Sequence, residues 1–230
     1  MNIRFLGTHN TLSRDSRYTC FLIDGVLGVD AGSIASALTF AEQRKIEAVL
    51  LTHGHYDHIR ELPALAFNNV LSGKAIRIYG TKETLDLFSS RFSDGKIYPD
   101  FIHDTPHFEK PVLELHEVRA REPFAAGKYN VLPVNIPHAP SSVGYEITKD
   151  GKRLFYTSDT GPGLADVWRN ISPDLLITEL TVPDRLLEFA RESHHLCPGL
   201  LREELEEFQR QKGYLPRVLA ALRNPEFEPE

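Results

Sequence analysis

Short apolar runs bounded by turn residues alternate along this chain with segments whose apolar positions recur at helical spacing. Strands are predicted over Ile3–Leu6, Tyr18–Ile23, Val26–Val29, Ala48–Leu51, Ala75–Tyr79, Val112–His116, Tyr129–Ile136, Gly144–Thr148, Arg153–Thr157 and Leu175–Thr178. Helices are predicted over Ile34–Arg44, Ile59–Asn68, Lys82–Phe92 and Leu200–Lys212. Asp24-Gly25 joins the second and third strands, and Lys149-Asp150-Gly151-Lys152 joins a later pair, both with the residues of tight hairpins. Hairpin-linked strands mixed with helices predict an α/β fold of sheets packed in layers. Ser93–Pro111 breaks the pattern. Its aromatics and prolines, including Tyr98, Pro99, Phe101, Pro106, His107 and Phe108, suggest a long ordered loop able to fold over a site as a lid. Exposed loop polars at His103 and His107 are an equally good account.

The chemistry concentrates where the apolar run Ala48-Val49-Leu50-Leu51 ends and the helical pattern from Ile59 begins, in Thr52-His53-Gly54-His55-Tyr56-Asp57-His58. Three imidazoles and a carboxylate this close exceed what packing at a strand end requires. Imidazole nitrogen and carboxylate oxygen are the donors that zinc, iron or manganese take at catalytic sites. Alternate residues of an extended turn face the same way, so His53 and His55 can serve one ion. Asp57 and His58, on the next turn, can face a second. A solvated, compositionally His-rich loop is the plain alternative, and the fixed strand-to-helix context argues against it.

The pattern His-x-His-x-Asp-His resembles the metallo-β-lactamase superfamily of binuclear metallohydrolases. Two further motifs fit the resemblance, each where an apolar run meets turn residues: Val134-Asn135-Ile136-Pro137-His138 and Tyr156-Thr157-Ser158-Asp159-Thr160-Gly161. The resemblance implies that His138 completes a first site with His53 and His55, that Asp159 bridges two ions, and that the second ion takes Asp57, His58 and Asp159. It also implies a four-layer αββα sandwich of two mixed β-sheets, here one domain over residues 1–230. A finer similarity lies in Glu192-Ser193-His194-His195-Leu196-Cys197-Pro198, which is similar to a segment of class II cyclic-nucleotide phosphodiesterases and of tRNA 3′-processing endonucleases. In those relatives the His stands beside the scissile phosphate. Pro198 suits the first turn of a helix, whose N-terminal N–H groups would offer an anion site beside His195.

One departure from the family pattern changes the expectation. Relatives place a last metal-binding His after a final strand, and the corresponding run here is Val218-Leu219-Ala220-Ala221-Leu222-Arg223-Asn224-Pro225. Leu222 stands at the ligand position and cannot coordinate. A weaker second site, a substitute ligand such as His194, or a decayed site follows. Arg223 could hold a substrate phosphate.

Composition narrows the picture slightly. The 230 residues carry 26 basic and 32 acidic side chains, a net charge of −6, which argues against a footprint for long nucleic acids. Cys20 and Cys197 make no disulfide framework. The first strand begins at once, without a leader-like or membrane-spanning stretch, so a cytoplasmic protein is expected.

The expected activity is hydrolysis of a small phosphodiester, such as a cyclic nucleotide, by a metal-bound hydroxide. Asp57 would orient the nucleophile, and His195 would act on the phosphate or leaving oxygen. The cofactor is a divalent metal, zinc first and manganese or iron as alternatives, with up to two ions. Only 21 positions separate His138 from Asp159, too few for the tRNA-binding arm of the endonucleases, so no dedicated nucleic-acid clamp and no membrane partner are expected. A homodimer is compatible with the chain. Arg14 and Arg17, in a polar loop after the first strand, are ordinary surface charges or aids to anion binding. Three alternatives remain: a thioester or lactone hydrolase, a mononuclear-iron dioxygenase on the same scaffold, and a metal-binding protein with a decayed second site.

Overall fold

The structure is a computed structural model that describes residues 1–103 and 110–227. Pro106, His107 and Phe108 of the expected lid lie outside the described residues. The chain divides into two compact units, Met1–Thr8 with Ser13–Val118, and His9–Leu12 with Arg119–Glu230.

The first unit is a six-stranded sheet in chain order: β1 (Ile3–Gly7), β2 (Cys20–Ile23), β3 (Leu27–Val29), β4 (Ala48–Leu50), β5 (Ile76–Gly80) and β6 (Leu113–Glu117). β1, β2 and β3 are antiparallel neighbours, whereas β3, β4, β5 and β6 run parallel. The β2–β3 hairpin turns on Asp24 and Gly25, both at positive φ as a type I′ turn requires. The helices are α1 (Phe40–Gln43), α2 (Tyr56–Ile59), α3 (Leu62–Asn69) and α4 (Lys82–Phe92). Leu62, Leu65 and Ala66 of α3 and Leu85 and Phe88 of α4 join Val49, Leu51 and Ile78 in one core.

Helix α1 is much shorter than the expected Ile34–Arg44. Thr39 starts it with a capping box, its hydroxyl accepting from Glu42 N while the Glu42 carboxylate accepts from Thr39 N at 2.9 Å. The residues before it are held otherwise: Glu61 Oε2 accepts from Ala35 N at 2.9 Å and Ser36 N at 2.8 Å.

The second unit carries β7 (Phe124–Ala126), β8 (Tyr129–Ile136), β9 (Ser142–Lys149), β10 (Lys152–Tyr156), β11 (Leu175–Glu179) and β12 (Arg217–Ala221), again in chain order across one sheet. β7 to β10 are antiparallel, and β10, β11 and β12 are parallel. Its helices are α5 (Ala165–Asn170), α6 (Leu187–Glu192) and α7 (Pro198–Lys212). Trp168 of α5 packs edge-on against Phe155 and Phe208, tying α5 and α7 to the sheet core. Both sheets are mixed, and in each the candidate site residues follow the C-terminal ends of strands, the end where parallel sheets present ligands.

Candidate metal centre

In the first unit the parallel strands β3 and β4 end side by side, which brings Asp30 next to Thr52 and the histidine run. Asp30 Oδ1 accepts from Thr52 N at 3.0 Å and from the Thr52 hydroxyl at 2.9 Å, and its Oδ2 lies 2.7 Å from His58 Nδ1. The Asp30 contact at Nδ1 fixes the orientation of the His58 ring and turns its Nε2 toward Asp57, 3.6 Å from Oδ2. His53 Nδ1 lies 3.1 Å from Thr52 Oγ1, and its Nε2 lies 3.0 Å from His55 Nδ1. Two nitrogens sharing one tetrahedral zinc with bonds of about 2.0 to 2.1 Å stand roughly 3.3 Å apart, so this pair fits one small cation. Gly32 allows the packing: a Cβ there would meet Asp57 O at 2.0 Å, so only glycine lets the strand-end loop pass under the motif.

In the second unit β8, β10, β11 and β12 deliver their C-terminal ends to one edge. His138 Nδ1 lies 3.1 Å from the His194 carbonyl oxygen, to which it donates, leaving Nε2 as the lone pair 3.7 Å from Asp159 Oδ2. His195 Nδ1 lies 2.8 Å from Glu179 Oε1. Donor atoms of Asp159, Glu179 and His195 all fall within 4.8 Å of one another.

Glu179 is fully buried at the end of β11 and accepts from four donors. Thr160 N (2.7 Å) and His195 Nδ1 reach one oxygen, and Thr181 Oγ1 (2.6 Å) and Leu196 N (3.0 Å) reach the other. A carboxylate has about four lone-pair sites, so Glu179 holds its neighbours rather than an ion. Burial raises its carboxyl above the ordinary value, and the bonded His195 pulls it back down.

The residues expected as ligands therefore fall into two sets, His53, His55, Asp57 and His58 in the first unit and His138 and Asp159 in the second. Two expectations are corrected. His194 is no substitute ligand: its ring is exposed, its backbone is left-handed, and its carbonyl serves His138. The α7 N-terminus is not a vacant anion site, because Gly199 N donates to Asp184 Oδ1 at 2.7 Å, a contact that holds the Asp184 carboxyl below the usual range. Arg223 pairs its backbone with His9 and lines a cavity of about 440 Å³ with Thr181, Asp184, Arg185 and Phe227. Leu222 does follow a strand end, buried and left-handed at φ 54°, with its carbonyl accepting from Thr181 Oγ1 at 3.2 Å.

Asp30 and Glu179 were missed by the sequence reading. Each is a carboxylate directly after an apolar strand run, Leu27-Gly28-Val29-Asp30 and Leu176-Ile177-Thr178-Glu179, the signal that marked Asp159.

Residues 19–212 match the family described as "Beta-lactamase superfamily domain", and the chain belongs to that superfamily. Its fold is the metallo-β-lactamase αββα sandwich. The metallo-β-lactamase fold protein YhfI from Bacillus subtilis superposes with a TM-score of 0.76 at 18% identity, covering 97% of this chain and 86% of that one. Yeast PDE1 superposes with a TM-score of 0.80 at 15% identity over 96% of this chain and 88% of its own. In sequence the chain is 28% identical over 149 residues to ribonuclease TTHA0252 of Thermus thermophilus, 63% of this chain but only 34% of that protein. The chain thus spans about a third of that relative's length.

Proposed function

We propose that the chain is a metal-dependent hydrolase of small phosphodiesters, such as cyclic nucleotides. His53, His55, His138 and Asp159 would hold one divalent ion, and Asp57, His58 and Asp159 a second. One observation carries this reading. His53, His58 and His138 each have Nδ1 engaged by an oxygen, of Thr52, Asp30 and the His194 carbonyl respectively, so that each ring turns Nε2 toward another candidate ligand: His55 Nδ1 at 3.0 Å, Asp57 Oδ2 at 3.6 Å and Asp159 Oδ2 at 3.7 Å. Bound zinc, manganese or iron would supply Lewis acidity and a nucleophile from water at neutral pH.

The chain's own residues supply the rest. Asp57 orients the attacking water and carries charge beside His58. Glu179, which takes His195 Nδ1 at 2.8 Å among its four donors, holds that ring so that Nε2 can serve the leaving oxygen as proton donor. The ribonuclease named among the relatives cleaves phosphodiesters, which supports that substrate class over a thioester or lactone. The short His138–Asp159 connection, filled by the β9–β10 hairpin, supports a small substrate over a clamped tRNA.

A second reading of His195 rests on Leu222, which supplies no imidazole, while His195 and Asp159 stand within ligand distance of a shared point. In that reading His195 is a ligand of the second ion. Elemental analysis of purified wild type, His58→Ala and His195→Ala tests both. Wild-type protein should carry divalent metal and His58→Ala clearly less. His195→Ala should keep its metal and lose turnover if His195 is the proton donor, and lose metal if it is a ligand. Absence of bound metal after supplementation would remove the proposal.

A further inference from the structure

Beside the histidine motif the first unit opens into a groove of about 930 Å³, lined by Leu38, Phe40, Tyr56, Phe92, Ile97 and Tyr98 along its apolar walls. Tyr56 belongs to the motif itself, between His55 and Asp57 in the chain. The residue is 56% exposed, and its ring lies nearly parallel to Phe92, 29° between planes at 6.5 Å. Phe92 in turn stacks on Phe88 at 6.2 Å, and Tyr18 meets Tyr56 edge-on at 6.3 Å. Phe40 and Ile97, at 63% and 71% exposed, form the rim. A row of rings with one open end, starting inside a metal-binding motif, is not accounted for by the hydrolytic machinery.

The polar groups of the groove are mostly committed elsewhere. Gln43 Nε2 donates to the carbonyls of Ala35 and Leu38, Asn68 Nδ2 donates to Gln43 Oε1, and the Glu61 carboxylate holds two backbone amides. Asn68 retains its carbonyl oxygen as an acceptor. The cation of the lining, Arg60, lies 5.6 Å over the Tyr18 ring. These walls suit a flat, uncharged, aromatic group with a donor at its edge, and offer little to a sugar or an alkyl chain.

We propose that this groove receives the nucleobase of a nucleotide substrate, stacked on the Tyr56–Phe92 pair, while its phosphodiester reaches the ligands that flank Tyr56. The assignment rests on the phosphodiester reading above and names its substrate class: a nucleotide, not a simple phosphodiester. Base stacking on aromatic side chains is sequence-tolerant, so purine and pyrimidine nucleotides are both accepted.

The test compares equilibrium binding of adenosine 5′-monophosphate and ribose 5-phosphate to the metal-loaded protein. Both carry the same phosphate, so their affinity ratio isolates the base even where a variant perturbs the phosphate site. The wild type should prefer the nucleotide about tenfold, the scale of one base–aromatic stack. Tyr56→Ala and Phe40→Ala should each lower that ratio, and Tyr56→Phe, which keeps the ring, should preserve it. Phe40 lies outside the histidine motif, so its variant reads the groove without touching the ligands. Equal binding of the two probes by the wild type, or a preference unchanged in both alanine variants, would overturn the proposal. A ratio that behaves as expected in a protein that hydrolyses no phosphodiester would sustain the groove and remove the phosphodiester reading instead.

Discussion

Asp57 sits one residue from His58 and holds its Oδ2 3.6 Å from that imidazole's Nε2, so its charge and shape have separate jobs. Asp57→Asn keeps the shape and removes the charge. Phosphodiester hydrolysis should fall by about 100-fold or more, the scale seen when one transition-state electrostatic contact is removed. The thermal transition should persist, and near-normal turnover in a folded variant would sink the role. Leu222 offers the opposite experiment. Leu222→His places an imidazole after β12, and metal retention against a chelator should improve, each tenfold gain corresponding to about 1.4 kcal/mol. The metal-free variant should be less stable than the wild type, because the site is buried and an imidazole without its ion is poorly solvated there. Unchanged metal affinity in a folded Leu222→His protein would show that Leu222 is not at the ion. The candidate ligand residues stood out in the sequence because metal chemistry admits few residue types at close spacing. The residues that aim them were not: Asp30 and Glu179 are single carboxylates whose partners lie 28 and 16 positions away, and only the fold joins them.

At the scale of elements, legibility followed length and local signals. Helix α4 matched its expected span, Lys82–Phe92, because Thr81 caps it and its apolar stripe is continuous. Both Asp-Gly hairpins were readable from two residues each. Helix α1 was overextended, although Thr39-x-x-Glu42 spells the capping box that starts it, because Ile34 and Leu38 continue the apolar spacing into a segment that Glu61 holds in another conformation. The short α5 and β7 were missed, since six and three residues form too little local structure to leave a pattern. What stabilises α5 is distant in sequence. Glu204 of α7 accepts from Gly163 N at 2.6 Å, Leu164 N at 3.1 Å and Trp168 Nε1 at 3.2 Å, binding the start of α5 to α7. Glu204→Ala should cost about 2 kcal/mol by leaving buried donors unmet. The chain has one tryptophan, so its fluorescence should shift in the same variant, and an unchanged denaturation midpoint would show that the contact is not structural.

At the scale of the whole molecule, the superfamily fold explains why candidate ligands so scattered in sequence follow strand ends. Both sheets run in chain order, so each strand added to the sheet brings its C-terminal loop to the same edge as its parallel neighbours. Among the described residues no helix is long and apolar enough to cross a membrane. The superfamily supports many chemistries on one scaffold, so the substrate must be argued from the site. The most direct test is the initial rate of bis(p-nitrophenyl) phosphate hydrolysis by chelator-treated protein titrated with zinc or manganese. The rate should be near the uncatalysed background without metal, rise with each addition to a plateau, and stay near background throughout the titration for Asp57→Asn. Protein that binds the added ions and remains folded, yet hydrolyses this diester no faster than the free ions do, would contradict the account.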